Sequence, residues 1–190
     1  NKNKSVVACL IEKETLKIKN KKRKSLKNQF IFRAEFIKEF LNEVPKKSKI
    51  ISTTGYTSRE LMDIRKNNRL DNGKDFYMVG GMGHSSSVAL GYAMQSKKKV
   101  FCLDGDGSML MHLGALRTIG YLSNKNFKHI ILNNNSHESV GGQLTTASGV
   151  DIKRLSSSVG YKHYFIIKDK KNIKPKIKRF IKANGPSSQQ

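Results

Sequence analysis

Short, continuously apolar segments that end in glycine or amide residues constrain the fold more than any other feature of this sequence. They are "KIISTTG" (49–55), "KVFCLDGDG" (99–107) and "FKHIILNNN" (127–135), and "DFYMVGGMG" (75–83) is similar. An apolar run without polar alternation predicts a strand that is buried on both faces. Strands of this kind belong to parallel sheets, in which a crossover, usually a helix, must connect successive strands.

The segments between these strands supply the helices that such a sheet requires. Apolar residues recur with a helical period over 30–44, and Pro45 ends the pattern. Ser58 is predicted to be the N-cap of the next helix. Further helices are predicted at 58–67, 84–96, 108–122, 150–160 and 171–183, with another strand at 161–167. The alternation predicts an α/β fold, a parallel sheet with helices on both faces.

Two polar side chains follow neighbouring strands of this sheet. Asp106 ends the strand at 99–107 and Asn134 ends the next one, at 127–135. Because ligands of open α/β sheets bind at the carboxyl ends of the strands, both residues are expected at the binding edge. Carboxylate, carboxamide and main-chain carbonyl oxygens suit a small hard cation such as Mg²⁺. The free N–H groups of the following helix suit an anion, so the sequence predicts a diphosphate site with a metal.

The residues next to Asp106 fit the same hypothesis. Gly105 and Gly107 allow the backbone to approach a ligand closely, and Ser108 is placed to cap the helix and to donate to a phosphate. The structural alternative is a tight Gly-Asp-Gly turn followed by an Asx turn at 133–135. Gly-Asp-Gly alone is a weak signal. Its position after a buried strand, with asparagines at the next strand tip, favours the metal site.

The chain is strongly basic, with a formal charge of +23 over 190 residues. Lysines concentrate at 17–28 and 168–182, which indicates either solvated surface or a nucleic-acid patch. Neither run is interleaved with aromatic residues, so solvated surface is favoured. Cys9 and Cys102 form neither a zinc motif nor a disulfide framework and are predicted to be buried thiols. No apolar run approaches the roughly 18 residues of a membrane span, and a cytoplasmic location is expected.

Four segments together resemble the thiamine-diphosphate-dependent phosphonopyruvate decarboxylases, with sulfopyruvate decarboxylases as near relatives. They are "TTGYTSREL", "GGMGHSSSVALG", "GDGSMLMHLGALRTIG" and "NNNSHESVGGQ". The last is the most specific and favours the phosphonopyruvate branch. The resemblance implies a thiamine-diphosphate-binding fold and the cofactors thiamine diphosphate and Mg²⁺. The activity it implies is decarboxylation of 3-phosphonopyruvate to phosphonoacetaldehyde and CO₂.

The resemblance also implies ligands for the metal and the diphosphate. Mg²⁺ would be bound by Asp106, by the Asn134 side chain and by the main-chain carbonyl of Ser136. The diphosphate would be contacted by Gly105, Gly107, Ser108, Thr57 and Ser58. Lysine is expected where Tyr56 stands, which leaves an anion contact from that position open.

Other residues would act on the remainder of the cofactor or on the substrate. Met82 would be the apolar wedge that bends the cofactor, and the Gly80 carbonyl would accept from its aminopyrimidine. His137 and Glu138 are candidates for a catalytic role, and His84 for a cofactor contact, although an isolated histidine is usually structural. His112, His129 and His163 are interpreted as structural, and Gly141, Gly142 and Gln143 as shaping the loop over the site.

In the resembled family the cofactor lies between two domains, and a pyrimidine-binding domain or subunit supplies the glutamate that activates the ring. Residues 1–44 are therefore interpreted as the end of a preceding domain, with a strand at Val6–Ile11, a basic linker and a lead-in helix. Residues 45–190 would be the diphosphate-binding domain. Truncation at both ends is expected, because "ANGPSSQQ" stops where the family continues into a further strand.

The expected partners are that pyrimidine-binding domain and a small 2-oxo acid, within an oligomer. Three alternatives stay open: a sulfopyruvate decarboxylase small subunit, an inactive cofactor-binding domain, and a basic nucleic-acid-binding protein.

Overall fold

The structure, a computed structural model, describes residues 31–68 and 75–189. The strand predicted at Val6–Ile11, the basic run at 17–28 and Cys9 lie outside the described residues. The α-helices of the described part are α1 (Arg33–Glu43), α2 (Tyr56–Asn67), α3 (Ser85–Met94), α4 (Asp106–Met111), α5 (Gly114–Leu122), α6 (Ile152–Ser158) and α7 (Ile173–Lys182).

Six strands form one sheet in which every neighbouring pair is parallel. The strands are β1 (Lys49–Ser52), β2 (Phe76–Tyr77), β3 (Val100–Gly105), β4 (Phe127–Leu132), β7 (His163–Phe165) and β8 (Ser187–Gln189). Their order in the sheet is β2-β1-β3-β4-β8-β7. β5 (Ser136–His137) and β6 (Gln143–Leu144) form a separate antiparallel hairpin. The predicted α/β fold with a parallel sheet is confirmed.

Alternate side chains of the strands enter two cores, one on each face of the sheet. Ile50 and Phe101 pack with buried residues of α1, α2 and α7, whereas Ile51 and Cys102 pack with those of α3 and α5. Phe40 of α1 contacts Phe101 edge-on, with ring centroids 5.1 Å apart. Burial of such a side chain stabilises the fold by about 1.5–3 kcal/mol. The lead-in helix α1 is thus an integral part of the domain core.

Three predicted elements differ from the structure near the binding edge. The helix predicted at 108–122 is two helices that break at His112, and the first begins at Asp106. The apolar period continues across the break, so the sequence did not reveal it. Strand β2 covers only Phe76–Tyr77 of the predicted segment, and the glycine turn that follows has positive φ at Gly80, 71°. Helix α2 begins at Tyr56, so Ser58 is not its N-cap.

The segment "ANGPSSQQ", in which the sequence analysis predicted no strand, contains strand β8. β8 occupies the place between β4 and β7 in the sheet. The buried Lys128 of β4 holds the segment that leads into β8. Its Nζ donates to the carbonyl oxygens of Ala183 at 2.7 Å and Gly185 at 2.9 Å. Burial, together with the nearby charge of Lys99, lowers the pKa of Lys128 to about 8.

Candidate functional site

A cavity of about 200 Å³ opens where β1, β3 and β4 end. These strands are adjacent in the sheet, so their carboxyl-terminal loops meet, as the sequence predicted. The predicted site residues that line the cavity are Thr57, Met82, Gly105, Asp106, Gly107, Ser108, Asn134, Ser136, His137 and Glu138. The folded chain therefore brings together most of the residues that the sequence singled out.

Asp106 is the most constrained group in this cavity. Its side chain is only 2% exposed, and Oδ2 accepts a hydrogen bond from Thr145 Oγ1 at 2.5 Å. Within residues 31–68 and 75–189, no lysine, arginine or histidine forms an ion pair with this carboxylate. A buried carboxylate without a cation is unfavourable by several kcal/mol. The residues therefore fit a bound divalent cation, whose charge would supply the missing partner.

The loop after β4 presents the other two predicted metal ligands to the same cavity. Asn134 Oδ1 accepts from the Ser136 N–H at 3.1 Å. Asn135 between them has φ of 55°, a left-handed conformation that asparagine tolerates better than most residues. This turn places both Asn134 and Ser136 along the cavity wall. The resulting oxygen donor set, carboxylate, amide and carbonyl, is one that Mg²⁺ prefers.

Gly107 accommodates the close approach of the His137 side chain. A Cβ atom at position 107 would lie 2.4 Å from His137 Cε1 and 2.9 Å from Nδ1. At Gly105, in contrast, an added Cβ would meet nothing within 4 Å. The glycine at 107 therefore makes room for the imidazole, whereas the glycine at 105 leaves open space at the start of α4.

Ser108 links the tips of three strands. Its Oγ accepts from the Gly83 N–H at 3.0 Å and from Thr53 Oγ1 at 2.9 Å. The hydroxyl proton of Ser108 remains available to donate to a ligand oxygen. The predicted capping role is wrong, because the helix begins two residues earlier, at Asp106.

The start of α2 forms the opposite wall. Gly55, with φ of 90°, precedes the helix, and no side chain caps its first turn. Thr57 is buried and lines the cavity, as predicted. Ser58 does not line it, because its hydroxyl donates to the Thr53 carbonyl at 2.7 Å. Arg59, which the sequence analysis did not single out, lines the cavity instead.

Glu138 is engaged in an ion-pair network. Arg33 Nη1 lies 3.1 Å from Glu138 Oε2, and the same guanidinium forms a bidentate pair with Glu60 at 2.8 and 2.9 Å. Burial lowers the pKa of Arg33, but the hydrogen bonds and charges of Glu60 and Glu138 outweigh it and raise the pKa overall. Glu138 thus anchors the loop after β5 to helix α1.

Gly80 and His84 lie away from the cavity wall. His84 Nδ1 is 3.2 Å from the Met82 carbonyl oxygen, and its ring packs against that of His112 at a tilt of 58°, with centroids 4.8 Å apart. Their predicted cofactor contacts stay predictions. Gly141 and Gly142 form the turn of the β5–β6 hairpin, with positive φ of 127° and 77°.

A second polar cluster lies below the cavity, inside the core. His129 is fully buried and uses both ring nitrogens, one toward Asp104 Oδ2 at 3.3 Å and the other toward Tyr161 Oη at 3.0 Å. The thiol of Cys102 is nearby, and burial raises its pKa well above the usual range. These contacts support the structural interpretation of His129 and the prediction that Cys102 is a buried thiol.

The chain folds as a parallel α/β sheet with a cavity lined by oxygen donors at its strand tips, and comparison with known proteins assigns this arrangement to the thiamine-diphosphate-binding domains. A family model, "Thiamine pyrophosphate enzyme, C-terminal TPP binding domain", matches residues 53–188. The chain belongs to this family.

Relatives and solved structures agree with this assignment. The chain is 35% identical over 151 residues to a phosphonopyruvate decarboxylase of Streptomyces viridochromogenes, which covers 80% of this chain and 37% of that protein. It is 38% identical to the sulfopyruvate decarboxylase subunit beta of Methanocaldococcus jannaschii, covering 67% of this chain and 66% of that one. The chain thus spans about a third of the first relative and just under two thirds of the second.

The fold is shared with 2-oxoglutarate:ferredoxin oxidoreductase from Magnetococcus marinus, with a TM-score of 0.64 and 15% identity. The match covers 83% of this chain and 60% of that one. Among the described residues, none of the helices combines the length and apolar character needed to cross a membrane.

Proposed function

We propose that this chain supplies the diphosphate- and metal-binding half of a thiamine-diphosphate-dependent 2-oxo acid decarboxylase. The observation that carries the proposal is the buried carboxylate of Asp106, which lacks a cation partner in the described part of the chain. Asp106, Asn134 and the Ser136 carbonyl would hold Mg²⁺, whose charge would offset that of the diphosphate. When bound, the cofactor supplies the electron sink for loss of CO₂, and the protein supplies orientation and charge.

The proposed substrate is 3-phosphonopyruvate, which would give phosphonoacetaldehyde and CO₂. The phosphonopyruvate decarboxylase of Streptomyces viridochromogenes and the "NNNSHESVGGQ" segment support this choice. Sulfopyruvate is the second candidate, and the similarity to the Methanocaldococcus jannaschii beta subunit favours it. Both acids carry a second anionic group, which a positively charged side chain could recognise.

A pyrimidine-binding domain or subunit is the proposed partner. Of the carboxylates that line the cavity, Asp106 is assigned to the metal and Glu138 is paired with Arg33. This assignment supports an activating glutamate supplied from outside the described residues. The relative named as subunit beta suggests assembly with another chain. We propose an oligomer on the same grounds, and the cytoplasmic location expected from the sequence stays a proposal.

The test is calorimetric titration of thiamine diphosphate with and without Mg²⁺. The wild-type chain should bind the cofactor only with the metal, and Asp106→Asn should lose that binding, because it removes the negatively charged ligand. Asp151→Asn is the matched control, since Asp151 is an exposed helix cap outside the cavity and asparagine also caps helices. Equal cofactor affinity in wild type and Asp106→Asn would refute the assignment.

Turnover is tested separately, as CO₂ release from each acid. The chain alone should be inactive, and addition of a pyrimidine-binding subunit should restore activity. Robust activity of residues 1–190 by themselves would contradict the proposed partner.

A further inference from the structure

Two arginines line the cavity, and only one is neutralised. Arg33 is paired with both Glu60 and Glu138. Arg59 is exposed and forms no ion pair with any residue of the described ranges 31–68 and 75–189. Of the two arginines that the described residues contribute to this cavity, Arg59 is therefore the one free to bind an anionic ligand.

The guanidinium of Arg59 is held in place by an aromatic ring. Its Cζ lies 5.4 Å from the centroid of the Tyr56 ring, which also lines the cavity. Tyr56 and Arg59 are three residues apart, so they occupy the same face of the first turn of α2. A cation that stacks on an aromatic face is oriented and loses less conformational freedom when it binds.

The surroundings of Arg59 favour an oxyanion. The first turn of α2 has no acidic residue and no side-chain cap, and its residues Tyr56 and Thr57 line the same cavity. Unpaired N–H groups at a helix start attract negative charge. A guanidinium offers a planar pair of donors that fits two oxygens of a phosphate or phosphonate.

We infer that Arg59, stacked on Tyr56, binds a tetrahedral oxyanion at the solvent side of the cavity. The inference rests on the proposed function and names the residue that would recognise charge there. The oxyanion is either the terminal phosphate of the cofactor or the phosphonate or sulfonate group of the acid substrate. Arg59 would then determine whether acids that carry a second anionic group are preferred over simple 2-oxo acids.

The experiment compares Arg59→Gln with Lys66→Gln in the full chain. Both changes remove one positive charge from α2, but Lys66 does not line the cavity. Thiamine diphosphate with Mg²⁺ is titrated first, and phosphonoacetate is then titrated into the cofactor-saturated protein. We expect Arg59→Gln to weaken one of these two ligands by about tenfold, and Lys66→Gln to change neither by more than about twofold. The ligand that is weakened identifies the source of the oxyanion.

Two further variants separate charge from folding. Tyr56→Leu should weaken the same ligand by a smaller factor, because the guanidinium loses its platform. Tyr56→Lys in the Arg59→Gln background should recover part of the affinity, because it returns a cation to the same turn. Circular dichroism of each variant should match that of the wild type.

Failure of this inference is distinguishable from failure of the proposed function. If wild type does not bind thiamine diphosphate with Mg²⁺, the proposed function is wrong, and inorganic diphosphate with Mg²⁺ then serves as the probe for Arg59. If every ligand that wild type binds has the same affinity for Arg59→Gln and Lys66→Gln, or if wild type binds none of these anions, the inference is overturned.

Discussion

At the scale of single residues, Thr145 orients the side chain of the candidate metal ligand Asp106. The threonine follows strand β6, and its hydroxyl donates to Asp106 across 39 positions of sequence. The main-chain N–H of Thr145 also donates to the Asn135 carbonyl at 3.0 Å. One residue therefore orients the carboxylate and fixes the loop that carries the amide ligand.

We expect Thr145→Val to weaken Mg²⁺-dependent cofactor binding by about tenfold, because loss of an outer-shell hydrogen bond commonly lowers metal affinity by 10- to 100-fold. Calorimetry with Mg²⁺ and thiamine diphosphate measures the effect. Thr146→Val is the matched control, since Thr146 is exposed and makes no contact with Asp106. Equal affinities for the two variants would contradict the role of Thr145.

The sequence identified site residues where they belong to strand tips and missed those that reach the cavity from elsewhere. Asp106 and Asn134 follow apolar strands, so their position could be inferred. Arg33 comes from helix α1, and no local pattern places it beside Glu138. The free charge of Arg59 could not be distinguished from that of the other surface cations, because ion pairing is a property of the folded chain.

At the scale of elements, helix α5 packs on the loop after α6 through backbone contact. A Cβ atom at Gly120 would lie 1.8 Å from the Val159 carbonyl oxygen. Gly160 completes the contact, with φ of 100° and its own Cα within 3.0 Å of that Cβ position. No side chain fits at position 120 unless the loop moves.

Gly120→Ala should therefore lower the free energy of unfolding by about 2–4 kcal/mol, as expected of a severe clash in a packed interior. Gly91→Ala is the control. Gly91 lies in helix α3, where an added Cβ would meet nothing within 4 Å, and this change should be neutral or stabilise by up to about 1 kcal/mol. Urea unfolding of both variants measures the change in the free energy of unfolding. A small change for Gly120→Ala would mean that the loop after α6 moves to accommodate the added methyl group.

Most elements were predictable because burial on both faces leaves a clear apolar pattern. Strands β3 and β4 and helix α7 lie within the predicted segments. The break at His112 was not predictable, because Leu113 and Leu116 continue the apolar period across it. Strand β8 has the sequence Ser-Ser-Gln, which carries no apolar signal, and its burial follows from insertion between two other strands.

At the scale of the whole molecule, the pH dependence of stability should contain a contribution from Lys128. Its pKa is lowered to about 8 by burial and by Lys99, whereas in the unfolded chain the ordinary value applies. Above about pH 8 the ammonium group of Lys128 loses its proton in the folded state, whereas it stays protonated in the unfolded state. The contribution of Lys128 to the free energy of unfolding therefore rises with pH over that window.

The difference in unfolding free energy between wild type and Lys128→Met isolates this effect. We expect the difference to shift in favour of wild type by about 1 kcal/mol between about pH 7.5 and about pH 9. The comparison with the variant is needed because Cys102, whose pKa is raised by burial, acts in the opposite direction in both proteins. Urea unfolding at each pH measures the difference, and a pH-independent value would contradict the assignment.

The place of β8 in the sheet also sets an order of assembly. β7 pairs with β8, and β8 pairs with β4, so β7 is joined to the other strands of the sheet through a segment that is synthesised after it. While the chain emerges from the ribosome, β1, β3 and β4 can already be adjacent. β7 has no strand to pair with until β8 has been synthesised. The nascent chain can thus assemble the strand tips of the cavity before β8 joins β7 to the rest of the sheet.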